Sequence, residues 1–253
     1  MRSDAGGRPW TRRARPLLGT LVEVGVRAGA AAGSEAVRAA FDAIAEVQAC
    51  LSRFESTSDI ARFHALPQGA SLEVNRHTAE VLSAAQQLNE ASAGIFDISL
   101  GSAPEGWRCD GVRLWKLNGA VRLDLGGIGK GYAVDRGVEA LIARGCSAGW
   151  VNAGGDMRAF GDDDIPVWLR DEAVGRVRPF ATLKEGALAT SHFHGDSRSR
   201  AIGFAHQAGA VHAHASVAAP LCLWADALTK VVAISGDASH PLLARYAARA
   251  WLH

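Results

Sequence analysis

Two hydrophobic rhythms run along the chain. In Pro16 to Val26, LLGTLVEVGV places apolar residues at every second position, the period of a half-buried strand. SEAVRAAFDAIAEVQACLSRF then changes period. Ala36, Ala40, Ile44, Val47 and Leu51 fall three or four apart, which predicts an amphipathic helix with Ser34 as its N-terminal cap. A second helix is predicted from Asn75 to Ala93, stopped by Gly94. The polar segment between them, ESTSDIARFHALPQGASLEV, reads as a loop or linker.

Farther on, GVRLWKLNGAVRLDLGG reads as a hairpin turning at Asn118-Gly119. A third helix is expected from about Lys130 to Arg144, and GWVNAGGDMRAFG is a strand entering a second glycine turn. Strands continue through PVWLRDEA and VRPFATLKEGALATS. A helix starting near Leu223 runs through ADALTKVVAIS, and a short one over Pro241 to Trp251 closes the chain. The passage from His192 to Ala219 is the least regular. Helices and strands alternate without a strict βαβ cadence, so the expected fold class is α+β, mixed sheets with packed helices, as one domain over 1–253.

Composition narrows the partners. With 253 residues and a formal net charge of +1, the chain has no field to attract nucleic acid, and none is expected as a partner. Its four cysteines are scattered with no CxxC pair, so they read as reduced, mostly buried thiols. Arg12-Arg13 before an apolar run raises a twin-arginine export signal and a periplasmic location as an alternative. Glu23 interrupts that run, no stretch approaches the length of a membrane helix, and the expected protein is cytoplasmic and unanchored.

The densest chemistry lies in VRLDLGGIGKGYAVDRG, where Gly126, Gly127, Gly129 and Gly131 surround Lys130. Glycines let backbone amides approach a ligand, and a lysine beside them suits a phosphate. The plain alternative is a tight strand-to-helix turn with a surface lysine. LDLGGIGKG does not match the GxGxxG dinucleotide fingerprint.

Seven blocks, in order, carry a resemblance. They are LGT (Leu18 to Thr20), LSRFESTSDIARF (Leu51 to Phe63), GIFDIS (Gly94 to Ser99), LDLGGIGKGYAVD (Leu123 to Asp135), VNAGGD (Val151 to Asp156), ATS (Ala189 to Ser191) and SVAAPLCLWADALTK (Ser216 to Lys230). Together they resemble the ApbE-like FAD:protein FMN transferases over nearly the whole chain. The resemblance implies an α+β fold and a magnesium-using enzyme. Its reaction moves FMN from FAD onto a Ser or Thr of an acceptor flavoprotein and releases AMP.

Carried over residue by residue, the resemblance places Leu18, Phe54, Ile95, Phe96, Asp97, Asp124 and Lys130 around FAD. It gives catalytic roles to Asp226 and Lys130, and magnesium to the Gly127 carbonyl, Asp226 and Thr229. Phe54 stands where the family commonly has tyrosine, and an aromatic ring stacks on a flavin without its hydroxyl. Read alone, Phe54 and Phe96 are core aromatics and Asp97 is a turn cap.

Two departures stand out. The family's Asp is followed four residues later by Thr; here that place holds Lys230, with Thr229 one residue earlier. Residues four apart share a helical face, so the Lys230 ammonium is expected to point at Asp226, repelling magnesium or replacing part of its charge. The bland reading is a surface ion pair. The family's His-x-x-Asp-Pro stretch is also missing, leaving His192, His194, His206, His212 and His214 as candidates for its histidine. If the two HxH pairs lie on strands, four imidazoles face one way and suit zinc; solvent-facing histidines are the simpler reading. Alternatives to transfer are a non-catalytic FAD-binding protein and an FAD pyrophosphatase with a degenerate metal site.

Overall fold

The computed structural model describes residues 9–171, 176–192 and 214–253. Its first element is a hairpin. β1 (Trp10–Leu17) and β2 (Thr20–Arg27) pair antiparallel around Leu18-Gly19, whose φ values are 55° and 71°. Two positive φ values suit the twist of the flanking strands. The pattern predicts one strand here, and the turn escapes it because Leu18 is apolar and carries no turn signature.

Helix α1 (Ala30–Leu51) starts four residues before the predicted cap. Gly29 stands at its N-terminus without a side-chain cap, and Ser34 lies inside the helix. The predicted linker holds α2 (Asp59–Ala65), capped by Ser58, and β3 (Ser71–Glu73), both too short for periodicity to reveal. α3 (Arg76–Ala91) matches expectation, with the Asn75 side chain accepting from the His77 amide at 2.9 Å.

The next hairpin turns earlier than predicted. β4 (Trp107–Asp110) and β5 (Arg113–Lys116) meet at Gly111-Val112 and join β3 in a small sheet of order β3-β5-β4. Asn118-Gly119 follows β5 instead, where Asn118 Oδ1 accepts from the Ala120 amide at 2.8 Å.

α4 (Gly129–Ala143) precedes β6 (Gly149–Ala153) and β7 (Asp156–Phe160). β8 (Ile165–Asp171) and β9 (Arg176–Leu183) form a separate hairpin, followed by β10 (Gly186–His192) and β11 (His214–Ala219). α5 (Cys222–Ser235) and α6 (Leu242–Arg245) lead to β12 (Arg249–Leu252). The predicted Pro241 to Trp251 helix is therefore one short turn and a strand. Pairing of β12 with β11 supplies hydrogen bonds that outweigh local propensity.

The main sheet has seven strands in the order β1-β2-β6-β7-β10-β11-β12, with every neighbouring pair antiparallel. Strand parity then sorts the residues. Val22, Val24, Val151, Ala153, Ala189 and Val217 are buried in the core that the sheet forms with α1, α4 and α5. The alternate positions, among them Glu23, Trp150, Asn152, Thr190, His192 and His214, line a cavity of about 1580 Å³ shared with the β8–β9 hairpin. Among the described residues no helix is long and apolar enough to cross a membrane, and Arg12 and Arg13 lie in β1 opposite Gly25 and Val24.

Candidate active site

The glycine-rich turn delivers the chain into α4, and α4 lies against α5. A Cβ on Gly131 would sit 2.2 Å from the Cys222 carbonyl oxygen and 2.8 Å from Asp226 Cβ, so only glycine lets the two helices approach this closely. The Gly131 amide donates to Asp226 Oδ2 at 3.0 Å. At this position the glycine serves helix packing, and its amide holds a carboxylate of the chain itself.

Four charged side chains meet beside that contact. Lys130, on the first turn of α4, pairs with Asp156 Oδ2 at the start of β7. Lys230 pairs with Asp226 Oδ1 one helical turn away on α5, and its ammonium also donates to the Asp226 carbonyl at 2.9 Å and to Ser191 Oγ at 3.0 Å. Thr229 Oγ1 donates to the same carbonyl at 2.7 Å and lies 2.6 Å from Ser191 Oγ. Both aspartates and Thr229 are fully buried, whereas the lysine side chains keep 32% and 15% of their surface exposed for Lys130 and Lys230, leaving the cations as the accessible edge.

The two carboxylates respond in opposite ways. Burial penalises charge on Asp226, but Lys230 and Lys130 outweigh it and hold the group below the usual carboxylate range. Burial and the neighbouring Asp226 push Asp156 up despite both lysines. Asp156 Oδ1 is buried without a hydrogen-bond partner among the described residues. Burial lowers the proton affinity of Lys130, yet Asp156 and Asp226 more than reverse this, so it remains a cation.

A second carboxylate on α4 does structural work. Asp135 Oδ1 accepts from the Cys222 amide and from Arg158, and Oδ2 accepts from the Leu223 amide, each at 2.9 Å. α5 has no side-chain cap of its own at Leu221, so Asp135 caps it from a different helix.

The residues predicted around the flavin form an adjoining group. The Leu18 amide donates to Gln48 Oε1 at 2.6 Å, and Gln48 donates to Glu55 at 3.1 Å, tying the first hairpin turn to the segment that carries Phe54. Phe54 is 84% exposed, which excludes a core role. Arg53 lies over its ring at 4.8 Å and pairs with Asp124 Oδ2 at 2.9 Å. Asp124 Oδ1 accepts from the Gly126 amide at 2.8 Å, and the Asp124 amide donates to the Ile98 carbonyl at 2.8 Å.

Ile95 is half-buried against the core, and Phe96 is buried within it. Asp97 is also buried and caps a turn, accepting from the Ser99 amide and hydroxyl at 2.7 Å and from the Gly101 amide at 3.0 Å. Gly127 belongs to the charged cluster, since a Cβ there would lie 3.2 Å from Lys230 Cε. Asp124 and Gly127 share one turn, so the two groups of residues are continuous.

Sequence reasoning did not single out Asp156, Ser191, Arg53, Gln48 or Asp135 for these roles. Asp156, Ser191, Arg53 and Asp135 lie inside blocks that it quoted, whereas Gln48 had no signal beyond its helical position.

Of the candidate histidines, the two that are described face elsewhere. His192 and His214 are cross-strand partners whose rings stack at 4.0 Å on the cavity side of the sheet, while Ser191 faces α5. His194, His206 and His212 lie outside the described residues. Among the described residues no group of three or more His, Cys, Asp or Glu could hold a metal ion.

An antiparallel sheet covered by helices, with a glycine turn and a two-lysine, two-aspartate cluster where α4 meets α5, defines an α+β protein. The chain belongs to the ApbE family, whose sequence profile matches residues 18–113 and 107–250. It is similar to an FAD:protein FMN transferase of Rhodobacter capsulatus, with 30% identity over 161 residues, taking in 50% of this chain and 31% of that protein. The chain thus spans about a third of the length of that curated relative. Its fold is that of the Pseudomonas stutzeri flavinyl transferase ApbE in its apo form, at TM-score 0.79 and 22% identity over 92% of this chain and 86% of the other. An ApbE protein of Thermotoga maritima superposes at TM-score 0.80 and 22% identity, covering 90% and 87%.

Proposed function

We propose that this chain is an FAD:protein FMN transferase, which moves FMN from FAD onto a Ser or Thr hydroxyl of an acceptor flavoprotein. The observation that carries the reading is the placement of Lys130 and Lys230, each on a buried aspartate, beside the glycine turn that Asp124 and Phe54 adjoin. The similarity to the R. capsulatus transferase supports it.

The acceptor oxygen attacks the FMN phosphorus. A P–O bond to it forms, the pyrophosphate P–O bond breaks, and AMP leaves with the electron pair. Lys130 and Lys230 offset the negative charge on the pyrophosphate and hold it in line. The hydroxyl proton goes to a carboxylate. Asp226 has Oδ1 on Lys230 and Oδ2 on the Gly131 amide, so it acts mainly by holding the cation and the start of α4. Asp156, with a raised proton affinity and an oxygen lacking a donor, is the better sink, and because it lies buried behind Lys130 the proton is relayed to it: the Lys130 ammonium gives a proton to Asp156 and takes the one released by the hydroxyl.

Leu18, Phe54, Ile95, Phe96 and Asp97 would border the isoalloxazine, Phe54 by stacking on it. Magnesium, implied by resemblance at Gly127, Asp226 and Thr229, does not suit this donor set, because the Lys230 ammonium already holds Asp226 Oδ1. Arg12 and Arg13, the pair read as an export signal, are strand residues of β1 paired with β2.

The test mixes the protein with FAD and an acceptor domain and follows both products. AMP with covalent FMN on the acceptor is the expected result. AMP with free FMN would instead make the chain an FAD pyrophosphatase, and bound FAD without AMP a non-catalytic flavin-binding protein.

A further inference from the structure

We propose that Lys230 is a built-in cation whose ammonium takes the place that the resemblance gives to magnesium, so that this chain receives the FAD pyrophosphate without a divalent ion. This rests on the proposed flavin site and concerns what supplies positive charge there.

The geometry starts with α5. Residues four apart share a face, and a lysine placed C-terminal to its aspartate is the favourable order for such a pair. The three N–H donors of the ammonium meet three oxygens: Asp226 Oδ1, the Asp226 carbonyl at 2.9 Å and Ser191 Oγ at 3.0 Å. Its stem crosses Gly127, where an added Cβ would be 3.2 Å from Lys230 Cε. Thr229 Oγ1, the other implied ligand, donates to the Asp226 carbonyl and touches Ser191. The remaining carboxylate oxygen, Asp226 Oδ2, is held by the Gly131 amide. Every oxygen of the implied metal set on α5 is therefore engaged with the ammonium or locked beside it.

Magnesium needs near-octahedral oxygen coordination at short range, and these oxygens instead surround a tethered cation of smaller charge. To enter, a divalent ion must break a buried ion pair and leave a displaced ammonium close by, two costs in the same direction. The phosphate does not face that barrier. Ser191 Oγ is the neutral side-chain partner of the ammonium, and it is the contact that a phosphate oxygen can replace while Asp226 stays bound.

The experiment titrates the purified full chain with Mn²⁺, read by electron paramagnetic resonance without flavin, and measures FAD binding in EDTA and in magnesium. Wild type should bind no Mn²⁺ specifically and should bind FAD equally in both buffers. Lys230→Thr, which adds an oxygen and removes the ammonium, should bind Mn²⁺ at least about tenfold more tightly than wild type and should need magnesium for full FAD affinity. Lys230→Gln keeps the side-chain length and removes the charge. It should also lose FAD affinity in EDTA, and it serves if the Thr variant does not fold.

Tight Mn²⁺ binding by wild type, or FAD binding by wild type that EDTA abolishes, would overturn the proposal. If wild type binds no FAD in either buffer, the flavin reading fails, and the Mn²⁺ titration still decides whether Lys230 excludes a divalent ion.

Discussion

Asp135 and Asp226 are both buried where α4 meets α5, and they are used differently. Asp135 receives three donors, two of them the first amides of α5, and both of its oxygens are satisfied by the chain. Asp226 anchors a lysine whose side chain keeps an exposed edge, beside an aspartate with one oxygen unpartnered among the described residues. Both carboxylates have their oxygens engaged, and what differs is the partner: Asp135 closes a joint between two helices, whereas Asp226 fixes a cation that keeps an exposed edge. The difference separates cap from site where both residues are merely aspartates in apolar surroundings.

The strongest test of the contrast is Asp135→Ala. It strips a half-buried Arg158 of its partner and the start of α5 of its cap, and should destabilise the fold by about 3–5 kcal/mol in urea unfolding, with Asp135→Asn recovering part of that. A loss below about 1 kcal/mol would mean that the joint is not structural.

Asp226→Asn comes next. Freed from its carboxylate, Lys230 is no longer held in place, and AMP release should fall about 100-fold, equivalent to about 2.7 kcal/mol. Turnover equal to wild type would remove α5 from the site.

Lys130→Ala should weaken FAD binding by about 1–3 kcal/mol in a fluorescence-quenching titration, the range for a charge-assisted hydrogen bond. Unchanged affinity would leave Lys130 as a partner of Asp156 alone. Phe54→Ala is milder. Its ring is 84% exposed, so stability should change by no more than about 0.5 kcal/mol, while FAD affinity drops by about 0.5–1.5 kcal/mol from lost stacking.

The smallest effect is on acid stability, because the carboxylates oppose each other. Asp226, depressed in the folded state, contributes stability that is present above its unfolded value near 3.8 and lost as pH falls through its lower folded value. Burial raises Asp156 and Asp135 in the folded state, so each destabilises at neutral pH and relieves that cost as pH falls toward 3.8. Urea midpoints measured from neutrality to about pH 3 should show Asp226→Asn losing less stability than wild type below 3.8. An unchanged acid limb would show that Asp226 is not held ionised by the lysines.

Much of the cluster was legible before the fold. Lys130 was marked by the glycines around it, Gly127, Asp226 and Thr229 were pointed out by the family resemblance, and the i, i+4 spacing on one helix was enough to aim Lys230 at Asp226, as the structure finds. Asp156 and Ser191 lie far from those residues along the chain. No local rhythm marks them as partners of α4 and α5, because that depends on which face of each strand meets the helices.

Local patterns thus determined what depends on near neighbours. The period behind α1, the spans of α3, α4 and α5 and the glycine turn were present in the linear chain, since helix faces and turn preferences are set within a few residues, whereas the predicted Ser34 cap gave way to a helix starting at Ala30. Tertiary structure alone decided the rest. The tie of the Leu18 turn to Gln48, the β12 strand at the sheet edge, and the Asp135 cap on α5 each join residues through pairing or packing over distance. The fate of the glycines belongs here too. Gly131 reads as a phosphate-binding residue in sequence and proves to be where two helices touch, because a carbonyl 2.2 Å from its missing Cβ leaves no room for any side chain.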